Sequence, residues 1–110
     1  MKIKIIKEKI SQNELEELAR EFYVDMVKGA VDIDKEIIAL GGEWHMDANQ
    51  VLIDDGSSQR NIWGFNIYLD NRIEFISLIN IRPLDNNRTL EIEDSAIREK
   101  MSAIIRRYIK

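Results

Sequence analysis

Apolar residues recur along this chain with two different periods, and the changes of period divide it into eight short elements. Lys2 to Lys7 interleaves lysine with isoleucine, which reads as a strand with Ile3 and Ile5 on one side. The spacing then changes to three and four, and Leu15, Leu18, Ala19, Phe22 and Met26 form one stripe of a helix. Ser11 and Glu14 read as its capping box, Ile10 and Leu15 as a hydrophobic staple, and Gly29 as the left-handed residue that ends it. Two β-rich runs follow, Ala30 to Ile33 and Glu36 to Trp44, turning at Asp34-Lys35. Pairing across that turn sets Val31 opposite Ile38. Leu40 and Trp44 then share a face, while Asp32, Glu43 and His45 fall on the other.

Asp47 and Gln50 read as a second capping box, opening a short helix that carries Val51, Leu52 and Ile53 and stops at Gly56. Strands Asn61 to Leu69 and Ile73 to Arg82 come next, joined at Asp70-Asn71, with Pro83 as the stop and a polar loop to Thr89. A last helix, from about Ser95, lines up Ile97, Met101, Ile104, Ile105 and Tyr108. The order β-α-β-β-α-β-β-α, with two hairpins and one crossover, predicts an α+β domain: a mixed, largely antiparallel sheet with helices packed on it. Two amides, Asn66 and Asn80, interrupt apolar strands and need hydrogen-bond partners there. Gly64 leaves room for a close approach to the sheet, most simply by packing helices or a dimer partner.

Composition narrows the class. With 110 residues, no internal repeat and no linker, the chain reads as a single globular domain over residues 1–110. It has no cysteine, which excludes a disulfide framework and thiolate metal sites and suits a reducing cytoplasm. The amino terminus lacks the apolar centre of a signal peptide, and no apolar run is long enough to span a bilayer, so a soluble protein with no membrane partner is expected. Residues 1–9 carry a charge of +3 and residues 95–110 carry +4; with −4 overall, the segment between them holds −11. The plain reading is a surface whose charges balance within the fold. Weak nucleic-acid contact through Arg98, Lys100, Arg106 and Arg107 is opposed by the overall acidity.

The segment with most chemical content is Gly41 to Asp47. It holds the single histidine and sets Glu43, His45 and Asp47 at alternate positions. On a regular strand those side chains share a face, and zinc, iron or manganese accepts such oxygen and imidazole ligands. The same groups suit general acid–base work. Against this, an Asp47 that caps a helix is not free, and a strand-end His45 is satisfied by a hydrogen bond. Asp54 to Gln59 lacks both the calcium-loop spacing and the lysine of a phosphate loop, and reads as a helix cap with a polar turn. No nucleophile elbow is present, and no motif names a cofactor.

Several of these segments, in this order, carry a resemblance. Gly42-Glu43-Trp44-His45-Met46-Asp47-Ala48, Asp55-Gly56-Ser57-Ser58-Gln59 and Ile62-Trp63-Gly64-Phe65-Asn66-Ile67-Tyr68 are joined by Ile79-Asn80-Ile81-Arg82-Pro83, Asn87-Arg88 and Glu93-Asp94 through Lys100. The chain resembles a small family of uncharacterised bacterial proteins filed as a domain of unknown function, number 5674. It departs from the pattern in bulky Trp44, where an aliphatic residue is expected, and in a short Asp70-Asn71 connection. The resemblance implies a single-domain bacterial-type protein and no assigned activity, substrate or cofactor. Two readings follow. One is a non-catalytic interaction module that self-associates through a sheet edge or an exposed aromatic surface. The other is a small metal-binding or hydrolase-like enzyme with His45 as base or ligand beside Glu43 and Asp47.

Overall fold

The structure, a computed structural model, describes residues 2–109. Five strands form one sheet: β1 (Ile3–Ile6), β2 (Met26–Asp32), β3 (Ile37–Gly41), β4 (Ile62–Tyr68) and β5 (Ile73–Glu74), in the order β1-β3-β2-β4-β5. Every neighbouring pair is antiparallel. Three helices complete the α+β fold: α1 (Gln12–Arg20), α2 (His45–Asp54) and α3 (Ser95–Tyr108).

Both faces of the sheet are covered, and the alternation along each strand sorts side chains between them. Val27, Val31, Ile38, Leu40, Trp63, Phe65 and Ile67 meet α1 and α3 through Leu15, Leu18, Met101, Ile104 and Ile105. The opposite face presents Ala30, Ile37, Ala39 and Ile62 to Ala48 and Leu52 of α2. Small Ala30 and Ala39 let α2 lie close to the strands. The expected Val31–Ile38 pairing is present, and Asp32 sets the turn by accepting the Asp34 and Lys35 N–H groups on Oδ1.

Four expected boundaries move, each for an identifiable physical reason. Helix α1 has its Ser11–Glu14 capping box but stops at Arg20, well short of Gly29. Val24, at φ 68°, takes the left-handed conformation expected of Gly29, and its N–H closes onto Ala19 O at 2.7 Å. Residues from Met26 onward instead pair with β4, and from Gly29 with β3 as well, and such long-range pairing overrides a helical spacing. Gly29 lies inside β2, where a Cβ would come within 2.5 Å of the Phe65 ring. Strand β3 ends at Gly41, not Trp44, because Gly41 and Gly42 adopt φ values of 115° and 96°.

Helix α2 begins two residues before the expected Asp47 cap. Trp44 is its N-cap and Asp47 its third residue, whose Oδ2 accepts the N–H groups of Glu43 at 3.0 Å and Trp44 at 2.9 Å. Gly56, at φ 104°, does close this helix; its N–H reaches Ile53 O and that of Ser57 reaches Leu52 O. Finally, the run expected as a strand from Ile73 to Arg82 pairs with β4 only through Glu74, bridges Glu91 from Ile76, and then turns inward as a 3-10 turn at Leu78–Asn80. Asn80 explains the break. Its Oδ1 accepts the Gly64 N–H at 2.7 Å and its Nδ2 donates to Gly64 O at 3.0 Å, so a side-chain amide replaces a rung of the sheet.

The basic termini are balanced inside the fold. Lys4 pairs with Glu14, Lys7 with Asp55 and Arg107 with Glu36, while Arg106 donates to Asn71 O.

Gly41 is the residue most sensitive to a side chain. An added Cβ would lie 2.2 Å from the Lys2 carbonyl oxygen, at a φ that other residues rarely adopt. Gly41→Ala is expected to lower unfolding stability by about 3 kcal/mol or more in urea titration, through strain and the backbone clash. A change under about 1 kcal/mol would contradict this register between β1 and β3.

Candidate functional site

The Gly41-Gly42 corner delivers α2 onto the sheet with its first residue, His45, buried against β4. Imidazole Nε2 lies 2.9 Å from Phe65 O and 2.8 Å from Asn66 Oδ1. Both are acceptors if Asn66 Nδ2 is the atom that donates to Glu74 Oε1, at 2.8 Å. Nε2 therefore carries the hydrogen, and the ring is the neutral tautomer with an unprotonated Nδ1. Tyr68 also donates to Glu74 Oε1, at 3.3 Å. Burial, and next the Lys28 ammonium, push the His45 pKa down to about 4. An imidazole of that affinity is a poor general base near neutral pH.

The three alternating candidates go to different places. His45 lines a cleft. Glu43 is exposed, and its backbone oxygen accepts from the Tyr23 hydroxyl. The Asp47 carboxylate is occupied by the start of α2, and neither acid lines the cleft. Among the described residues, no group of three or more His, Cys, Asp or Glu side chains is arranged to hold a metal ion.

The cleft encloses about 500 Å³ between the start of α2, the exposed part of β2 and β4, and the 76–90 excursion. Its floor is polar, with Lys28, His45, Asn66 and Ser77, and its sides are Ile76 and Ile79. Four apolar side chains rim it while facing solvent: Trp44 is 61 % exposed, Met46 53 %, Leu78 75 % and Leu90 43 %. The excursion that forms one wall is held by buried Asn87, which donates to Asn80 O, Thr89 O and Glu91 O and accepts the Glu93 N–H.

Sequence reasoning reached His45, Trp44 and, as an amide in need of partners, Asn66, but did not bring the cleft together. Lys28 stood on the expected extension of α1, Leu78 in the expected strand from 73 to 82, and Leu90 where no period marks it. Interruption of an apolar run by Asn80 was the available clue to the inward turn.

A family model described as "Protein of unknown function (DUF5674)" matches residues 4–108. The chain belongs to this family. Comparison with curated proteins and with solved structures finds no match. For this DUF5674 chain, the site is therefore interpreted from its own geometry.

That geometry moves the titration of His45 from neutral into acid pH. Its folded pKa lies below the ordinary value of 6.5, so the unfolded chain binds the proton more readily. Stability on this account is complete above pH 6.5 and is lost as pH falls toward about 4, by roughly 3 kcal/mol in all. Titration of the His45 ring by NMR is expected to give a midpoint near 4, and His45→Gln should remove this component of the acid slope. A midpoint at 6.5 or above would contradict the buried neutral ring.

Proposed function

We propose that the chain is a non-catalytic interaction module whose contact surface is the apolar rim of this cleft, with a second copy as its partner. One observation carries the reading. Helix N-caps favour Ser, Thr, Asp or Asn, yet Trp44 occupies this one, makes no side-chain cap bond and stands in solvent. A residue that breaks a local rule without a packing gain is expected where function requires it. Met46, Leu78 and Leu90 around the same opening turn one exposed tryptophan into an apolar patch, the mark of a contact surface.

The sheet edges are poorer candidates for that contact. Outer strand β1 carries Lys4 and is flanked by Lys2 and Lys7, while β5 is two residues long; charge and shortness both discourage strand addition. The alternative, a metal-binding or hydrolase-like enzyme built on Glu43, His45 and Asp47, gains no support from side chains that do not converge.

Trp44→Ser separates contact from folding, because serine is the better cap. The variant is expected to be as stable as the parent or up to about 1 kcal/mol more stable. Sedimentation velocity across a concentration series should show a dimer for the parent and a weakened one for the variant. A parent that stays monomeric at the highest concentration would rule out self-association through the rim.

A further inference from the structure

The floor of the cleft differs in character from its rim. Lys28 is half-buried there, opposite Asn66 in the β2–β4 pairing and on the same face of the sheet. Its ammonium has no carboxylate within ion-pair distance among the described residues; its neighbour is the Tyr23 ring, with the centroid 5.1 Å away. Burial lowers its pKa, the Glu74 charge opposes that in part, and Lys28 and His45 line the same opening. Glu74 does not line the cleft, and its Oε1 already accepts from Asn66 and Tyr68.

A second donor stands on the same floor. Ser77 Oγ is buried and accepts the Ile79 N–H at 3.2 Å, but its own hydrogen has no acceptor among the described residues. Ser77 reaches this position because Gly64 has no side chain; a Cβ there would meet the serine at 2.5 Å. The cleft thus combines one cation that makes no ion pair among the described residues, a free hydroxyl hydrogen, and walls of Trp44, Met46, Ile76, Leu78 and Leu90. Its volume falls within the range of small-molecule sites.

We infer that the cleft binds a small molecule with an apolar body and a single carboxylate, the carboxylate at the Lys28 ammonium and the body between the apolar walls. The complementarity is of charge as well as of polarity: a half-desolvated ammonium gains most from an anion that brings its own apolar cover. This inference rests on the cleft being the working surface of the module: the carboxylate meets the floor, and the apolar body meets the same rim side chains as the interaction reading.

The test uses octanoate and octanol, which share a chain and differ in the charged group. NMR follows the Trp44 indole and Met46 methyl signals on the full chain, for the parent, Lys28→Met and Lys28→Arg. Octanoate is expected to bind the parent about tenfold more tightly than octanol, as a partly buried charged hydrogen bond provides. Lys28→Met should erase that difference, and Lys28→Arg should keep it. Equal binding of both probes by the parent, or a preference for octanoate that survives in Lys28→Met, would overturn the inference while leaving the rim an apolar contact surface. If neither probe moves the Trp44 or Met46 signals, the carboxylate site fails. A dimer that Trp44→Ser weakens would then still sustain the interaction reading.

Discussion

The architecture around the cleft depends on one side-chain amide. Strand β4 is the last long strand of the sheet, and beyond β5 its outer edge has backbone groups to satisfy. Asn80 meets both groups of Gly64 at once, accepting from its N–H and donating to its carbonyl oxygen. Buried groups of this kind lose stability when left unpaired, so the amide fixes the inward turn at Leu78–Asn80. The rest of the excursion follows from that anchor. Asn87 ties the Asn80 carbonyl to the chain coming back at Thr89 and Glu91, and Ile92 returns to the main core. Without this pair of asparagines the cleft would have one wall.

The other wall comes from a different constraint, the close packing of α2 on small residues. Ala30 and Ala39 give way to Ala48 and Leu52, which seats the helix low over the sheet. Gly41 and Gly42 turn the chain sharply enough for the helix to begin there, and Asp47 holds the turn by accepting two backbone N–H groups. His45, at the first position, is then pressed against the β4 backbone rather than pointing into solvent. Its hydrogen bonds to Phe65 O and Asn66 satisfy Nε2 and fix the ring against the strand.

Much of the fold was legible because its elements follow local rules. The Ser11–Glu14 capping box, the Val31–Ile38 hairpin, the Gly56 stop and the stripe of α3 all stand where spacing and capping place them. Two of the misplaced boundaries, the end of α1 and the run from 73 to 82, share one cause: residues that satisfy a helical or strand period were claimed by partners distant in sequence. Met26 fits the α1 stripe yet pairs with Tyr68, and Ile79 and Ile81 fit a strand that Asn80 interrupts. The candidate site was legible to the same extent. His45 and Trp44 stand out in the sequence as unusual residues, but the choice of Lys28 and Ser77 as their neighbours is made by sheet register and by a turn with no periodic signature. Alternation suggested that Glu43, His45 and Asp47 share a face, and the two glycines before them removed the strand on which that alternation depended.

A single histidine in a cleft invites interpretation as a switch between pH 5 and 8, the range in which an unperturbed imidazole changes charge. Burial beside a lysine takes this ring out of that range, with a pKa of about 4. Across ordinary intracellular and extracellular acidity the floor therefore keeps an uncharged ring, and the sign of its field is set by the neighbouring ammonium. Constancy, rather than responsiveness, is what His45 brings to the cleft between pH 5 and 8: its floor keeps the same polarity throughout that range.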